Sequence, residues 1–357
     1  MDAKLIPNLI LRNAETLVRR LLRLRPRPYK VLLELTDHCN SKCQTCSVWR
    51  DNEVEPKTEL SLEVATRLLE SSGRDLTWIA LSGGEITLYR NFPALVDLLE
   101  RYCPKLKIVT FTTNGLLPQR AADCARALQK LNCKLFVTVS LDGDQETHDR
   151  VRGVAGNFNR AQSTFALLQA LGVQTFWGLT ISAENQNYLQ SHPEIWPGIQ
   201  AITTAHTGGL YRQDNSMAAA TLVSILDQAL AGYRRASLSE WFEWIYLRLS
   251  QAHAQNRGQQ PIPCEVIGTS LHIKANGEVK PCQFVEHIGD LRQNTLTEIL
   301  AHPDLPKKID ELRAGQCPGC WMNCYAPHSM MQNPVRSVFQ AFFGTRKRAQ
   351  RHQSVTN

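Results

Sequence analysis

The chain has no apolar run long enough to span a bilayer, and arginines interrupt the apolar positions where a secretory signal would need them unbroken. Both absences point to a cytoplasmic protein. There is no internal repeat, and a net charge of +7 comes with no nucleic-acid recognition motif, so nucleic acid is not the expected partner. Acidic residues stop at Glu311, while Arg346, Lys347, Arg348 and Arg351 follow. Between residues 12 and 30, Glu15 alone stands against Arg12, Arg19, Arg20, Arg23, Arg25, Arg27 and Lys30. Basic ends of this kind suit an anionic surface. One reading places the protein peripherally at the inner face of an anionic membrane, with Phe339, Phe342 and Phe343 inserted. The other has the N-terminal helix covering the open side of the core and the tail solvated.

Cysteine, by contrast, is abundant. Eleven cysteines in an intracellular chain of 357 residues are better explained by metal than by disulfides. Cys103, Cys124 and Cys133 stand apart among apolar residues and read as buried thiols. The other eight form two groups, Cys39, Cys43 and Cys46, then Cys264, Cys282, Cys317, Cys320 and Cys324.

From residue 31, β-branched runs alternate with amphipathic stretches: "VLLELT", "TWIALSG", "KIVTFTT", "KLFVTVSL", "VQTFWGLTI" and "IQAITTA" read as six strands. Repeated β-α units predict an α/β fold, a partial (β/α)6 TIM-like barrel. The expected organisation is a basic amphipathic helix over 1–30, the barrel over 31–215 and a helical connector over 216–260. A small auxiliary domain over 261–330 (β-hairpin, helix and Cys-rich loop, with Asn276-Gly277 as the hairpin turn) and a basic tail over 331–357 complete it.

The unusual residues fall just past the C-terminal ends of the candidate strands. "CNSKCQTC" follows the first, "SGGE" the second, "TTNG" the third and "SLDG" the fourth. In parallel α/β folds that edge binds ligands. Three thiolates spaced C-x3-C-x2-C hold an iron–sulfur cluster or zinc; zinc would want a fourth ligand, whereas a cubane on three thiolates keeps one iron open.

The ordered set "CNSKCQTC", "SGGE", "TTNG", "SLDG" resembles the radical S-adenosylmethionine (radical SAM) superfamily over residues 31–205. The resemblance implies that Cys39, Cys43 and Cys46 ligate a 4Fe–4S cluster whose open iron chelates S-adenosylmethionine. Gly83, Gly84 and Glu85 would receive its amino group, Ser140 and Asp142 would sit by its ribose or carboxylate, Arg152 in "HDRVRG" would be a further carboxylate contact, and Asn114 would line the same cavity. A flavodoxin- or ferredoxin-type donor would supply the electron.

After such a core, Cys264-x12-Gly277-x4-Cys282 is similar to the SPASM and twitch extensions, which hold auxiliary 4Fe–4S clusters. "CPGCWMNC" departs from the longer SPASM spacing, so the single-cluster arrangement fits better, leaving one of Cys317, Cys320 and Cys324 spare. On their own these five cysteines would equally suit zinc. An auxiliary cluster implies net oxidation of a small-molecule, sugar or lipid-linked substrate. Two alternatives stand beside it: a ribosomal-peptide maturase using a separate recognition partner, and a non-catalytic metal-binding scaffold. "HTGG" after the sixth strand brings His206 toward the pocket edge, with Tyr211 and Arg212 as further substrate contacts.

Overall fold

The computed structural model describes residues 6–50, 58–212, 214–233, 235–256 and 258–344. The basic cluster Arg346, Lys347, Arg348 and Arg351 lies outside the described residues. Six parallel strands form the expected open barrel: β1 (Lys30–Glu34), β2 (Trp78–Ser82), β3 (Ile108–Thr113), β4 (Lys134–Ser140), β5 (Gln174–Ile181) and β6 (Ala201–Thr204). Each lies within a few residues of its sequence-derived run. Two of the helices between them are started by side-chain caps, where Ser61 accepts from the Val64 amide and Asp144 from the Thr147 amide.

The C-terminal hairpin extends the barrel's own sheet. Its first strand, β7 (Ser270–Ile273), pairs in parallel with β1 from Lys30↔Ser270 to Leu33↔Ile273. β8 (Glu278–Lys280) and β9 (Gly289–Asp290) then add antiparallel, giving the order β6-β5-β4-β3-β2-β1-β7-β8-β9. All five residues of β1 are buried, as a strand flanked on both sides requires. The turn falls at Asn276-Gly277 as expected, with Gly277 at φ 91°. The cysteines flanking and following the hairpin therefore share the barrel's hydrophobic core, which includes Val31, Leu271, Val279 and Cys282, with Cys264, Cys317 and Cys320 packed on it. A second core sits where β5 and β6 meet the helices Ala219–Gly232 and Leu238–Gln255, through Ile181, Ile202, Ile225 and Leu247. No helix among the described residues is long and apolar enough to cross a membrane.

The β1–β7 seam contains a buried charge cluster. Glu34 accepts from His272 Nε2 at 2.7 Å and from Lys274 Nζ at 2.8 Å. Burial alone would raise its carboxyl, but His272 and Lys274 more than offset that and hold it down at about 2. A depressed carboxylate stabilises the fold above its unfolded pKa and loses that contribution as pH falls toward the folded value. Acidification from about pH 4.5 to 2 is therefore expected to weaken the seam, by on the order of 3 kcal/mol. Denaturant midpoints across that window should fall less in Glu34→Gln; equal slopes would show that another group carries the acid sensitivity.

Candidate active site

The loop after β1 that carries Cys39, Cys43 and Cys46 is held by its backbone from several sides. On the β2 side, the Gly84 amide donates to the Thr36 carbonyl at 2.7 Å and the Glu85 amide to the His38 carbonyl at 2.7 Å. The glycines permit this approach: Gly83 adopts φ 131°, and a Cβ at Gly83 or Gly84 would collide with the Thr36 or His38 carbonyl. Toward β4, the Lys42 amide donates to Arg152 O at 3.1 Å and the Gln44 amide to Val151 O at 2.8 Å. Both acceptors belong to the helix Gln145–Arg152, which the sequence reading missed although Asp144 at its start and Gly153 (φ 65°) at its end bracket it.

The segment following β6 closes the loop from the far side. Cys46 forms an isolated antiparallel bridge with Tyr211, the Arg212 amide donates to Thr45 O at 3.1 Å, and Asn215 Nδ2 donates to Thr45 O at 2.6 Å. Arg212 itself spans Asp214 and the Gln44 carbonyl. Tyr211 and Arg212 thus brace the cysteine loop, and Asn215, which carried no motif signal, joins them.

Glu85 is buried at 1% exposure, and both of its oxygens are engaged within the protein. Oε1 accepts from Thr87 Oγ1 and Thr113 Oγ1, each at 2.8 Å, and Oε2 from the Asn114 amide at 2.8 Å. Burial raises its carboxyl, and these donors oppose that. The carboxylate thereby ties the β2 loop to the β3 loop and sets Asn114, whose Nδ2 donates to Asn40 Oδ1 in the cysteine loop at 2.8 Å. Glu85→Ala would strand four buried donors, these three and the Thr87 amide, and is expected to cost about 2–4 kcal/mol, with Glu85→Gln recovering part. A loss below about 1 kcal/mol in denaturant titration would remove this positioning role.

Ser140 is buried at the end of β4, and Asp142 follows in its loop. Asp142 Oδ2 accepts from Arg152 Nε at 2.6 Å, and Oδ1 accepts from the Thr180 amide at 3.2 Å. Its own amide donates to Nδ1 of His148, another residue without a sequence signal. Arg152 then lies with Nη1 4.0 Å from Cys43 Sγ, while the Ser41 amide is 3.5 Å from Cys39 Sγ. Burial pushes the Cys39 and Cys46 thiols up to about 12 and raises Cys43 against the pull of Arg152. Three thiols crowded near one cation, starved of water and repelling one another as thiolates, suit a cationic cluster that takes the place of their protons. Among the described residues no three Cys, His, Asp or Glu side chains converge as ligands of one ion; a four-iron cluster spreads its thiolates more widely.

The second cysteine group resolves into four and one. Cys264, Cys282, Cys317 and Cys320 line a single small apolar cavity with Phe284, Leu312 and Tyr325. Burial lifts Cys264 to about 12 and raises Cys282 and Cys320, while backbone N–H groups of Val266 and of Phe284 and Val285 point at Cys264 and Cys282. Gln260 Nε2 adds a donor 3.6 Å from Cys317 Sγ. Donors aimed at sulfur suit an iron–sulfur cluster. Cys324 is not among the residues lining that cavity: its Sγ lies 3.6 Å from Asn323 Oδ1, and Lys30, at the start of β1, donates to its backbone carbonyl at 2.8 Å and lies 3.0 Å from His328 Nε2.

His206 joins the two regions. Its ring centroid lies 6.1 Å from Tyr211, beside Cys46, and 5.7 Å from Phe284, which lines the four-cysteine cavity. Its Nε2 donates to Trp321 O at 3.4 Å, so in the neutral ring Nδ1 keeps a lone pair. Burial lowers its pKa to about 4, which keeps it neutral near pH 7.

Comparison with known proteins agrees with this arrangement. Residues 33–188 match the radical SAM superfamily, and residues 264–325 match SPASM, an iron–sulfur cluster-binding domain. The chain is 32% identical over 158 residues to the Fe-coproporphyrin III synthase of Methanosarcina barkeri, covering 43% of this chain and 37% of that protein. It is 23% identical over 288 residues to the sporulation killing factor maturation protein SkfB of Bacillus subtilis, covering 76% of this chain and 64% of that one. The chain thus spans between about a third and two thirds of the length of these curated relatives. Among solved structures, anSMEcpe with bound AdoMet superimposes with a TM-score of 0.57 at 17% identity, covering 88% of this chain and all of that one.

Proposed function

From a chain that belongs to the radical SAM superfamily and carries a SPASM iron–sulfur domain, we propose a radical SAM oxidoreductase that removes two electrons from a small-molecule or sugar substrate. Cys39, Cys43 and Cys46 would hold the 4Fe–4S cluster that receives S-adenosylmethionine, and Cys264, Cys282, Cys317 and Cys320 one auxiliary 4Fe–4S cluster. Bound there, the first cluster would supply the electron for reductive cleavage of S-adenosylmethionine and hence a hydrogen-abstracting radical, and the second would supply an acceptor for the substrate's remaining electron. The electron donor would be of flavodoxin or ferredoxin type.

The observation that carries this reading is the contiguity of the two cysteine groups through Tyr211, His206 and Phe284. Oxidation of an alcohol or amine carbon also releases a proton. His206 stands at the junction with Nδ1 unprotonated and able to accept a hydrogen bond, while its pKa of about 4 makes it too weak a base to hold that proton near pH 7. Arg152, fixed by Asp142, keeps a positive charge against Cys43. The Gly83–Gly84–Glu85 turn, Asn114 and Ser140 form the wall on which the amino and carboxylate ends of S-adenosylmethionine would be oriented. The β6-side brace of Tyr211 and Arg212 excludes water from behind the loop.

A second reading, maturation of a ribosomal peptide with a separate recognition partner, is favoured by the SkfB match across 76% of this chain. The test is anaerobic reconstitution, reduction, and measurement of 5′-deoxyadenosine. Formation of it supports the enzyme reading. Its absence in iron-replete, reduced protein would leave a metal-binding scaffold. A short peptide that raises the rate well above the substrate-free level would favour the maturase.

A further inference from the structure

The first helix, Ile6–Leu21, lies on the protein with its polar side inward. Arg12 is only 8% exposed, donating to the Asp75 carbonyl at 2.9 Å and to Glu15 at 2.7 Å. Asn13 accepts from Gln332 Nε2 at 2.7 Å, and buried Thr16 faces the Gly268 carbonyl. The side turned out is apolar: Ile10, Leu11, Leu17, Val18 and Leu21 are exposed, Leu11 by 66% and Leu21 by 71%. Their spacing places them in one stripe, and Leu22 and Leu24 prolong it. The helix does lie against the barrel, at the N-terminal ends of its strands and through polar contacts together with buried Leu9. Its polar contacts hold it, and its apolar face is left over.

A second apolar strip adjoins the first. Arg20 at the end of the helix pairs with buried Glu265 at 2.7 Å. The same Glu265 oxygen accepts from Asn333 Nδ2 at 3.1 Å, one residue before the helix Pro334–Phe339. Beyond it Val335, Val338, Phe339, Phe342 and Phe343 are exposed, Val335 by 83%. Phe342 meets Trp241 and Trp244 at ring-centroid distances of 6.3 and 5.1 Å, and the Arg235 guanidinium sits 5.4 Å from both indole rings.

Two strips of exposed large apolar side chains from opposite ends of the chain thus meet at one carboxylate. The charge around them selects the occupant. Arg23 and Arg25 are exposed where the first stripe ends, Arg235 flanks the tryptophans, and no acidic residue follows Glu311. Aliphatic and aromatic side chains ringed by arginine form the composition of a helix lying in a headgroup layer. We propose that this face docks on an anionic lipid surface. Arg12 and Thr16 reach carbonyls just before β2 and β7, so the first helix lies at the N-terminal ends of the strands. The Cys39 loop follows the opposite, C-terminal ends. Docking would then orient the cysteine loop toward water, where a soluble substrate and electron donor arrive, and it requires no lipid-linked substrate. This inference is independent of the radical chemistry.

The experiment is co-sedimentation of the reconstituted full chain with phosphatidylglycerol or phosphatidylcholine vesicles. Binding is expected to phosphatidylglycerol, to weaken with salt, and to be much poorer to phosphatidylcholine. Leu11→Glu/Val18→Glu/Leu21→Glu changes only exposed positions and should weaken binding by about tenfold or more, the equivalent of ~1.4 kcal/mol. Phe339→Ser/Phe343→Ser, with unchanged iron content, should do likewise. No sedimentation of the wild type, equal binding by both variants, or a self-associated wild type that the variants convert to monomer without any vesicle binding would each overturn the proposal.

Discussion

Replacing Cys39, Cys43 and Cys46 together by alanine is expected to abolish 5′-deoxyadenosine formation while about half of the iron remains. The loop's place does not depend on its thiols. It is held by amide-to-carbonyl bonds from Gly84, Glu85, Lys42, Gln44 and Arg212, so three small losses of volume should leave it folded. The Arg152–Asp142 pair also survives, because Asp142 is satisfied by Arg152 and Thr180 without Cys43. What disappears is every soft ligand at that edge of the sheet. Iron per chain should fall from about eight to about four, as each cubane takes four. S-adenosylmethionine cleavage should drop below detection, a loss of at least about 10³-fold, since without the cluster no other route to the reducing electron exists. Iron and sulfide assay with chromatography of the adenosine products checks both numbers. Retained cleavage would remove these cysteines from the chemistry, and complete loss of iron would mean that the two groups do not load independently.

The second large effect separates the auxiliary cysteines. Cys264→Ala or Cys320→Ala should each lose about four irons and stop substrate turnover, yet still cleave S-adenosylmethionine. Cys324→Ser should retain all the iron. The reason lies in where the thiols face: Cys264, Cys282, Cys317 and Cys320 line one cavity. Cys324 ends the same loop beside Lys30, whose ammonium is buried, bonded to the Cys324 carbonyl and lowered to about 8 by that burial. Iron loss in Cys324→Ser, with Cys317→Ser left replete, would reverse the assignment. Variants that lose the auxiliary iron but keep oxidising substrate would leave the cavity a structural brace.

Much of this was legible in the linear chain. Alternating apolar runs and amphipathic stretches specify a parallel barrel because the two periodicities bury different faces, and each of the six strands lies where its run predicts. The placement of Cys39, Gly83, Asn114 and Asp142 after consecutive strands marked one sheet edge, since parallel strands bring all their C-terminal ends to the same side. What each residue does there was less visible. Glu85 reads as a carboxylate for the amino group of S-adenosylmethionine, and in the structure Thr87, Thr113 and the Asn114 amide engage both of its oxygens. Arg152 reads as a ligand contact and is drawn to Asp142 and Cys43. Tyr211 and Arg212 read as substrate contacts and brace the loop. Hydrogen-bond partners are set by segments far apart in the chain, and motif spacing carries no information about them.

Sequence alone therefore determined the kind of chemistry, because soft ligands, glycines and strand periodicity are local properties. Tertiary structure decided how the parts join. Pairing of β7 with β1 across some 240 residues brings the auxiliary cysteines onto the barrel's own core. It also decided which four of five thiols share a cavity, since C-x2-C-x3-C spacing permits several sets and only packing chooses one. And it turned the first helix over: an amphipathic pattern states that one face is apolar, but not whether that face meets the protein. Arg12, Asn13 and Arg20 found partners in Asp75, Gln332 and Glu265, and Leu11, Leu17 and Leu21 were left facing out while Leu9 was buried.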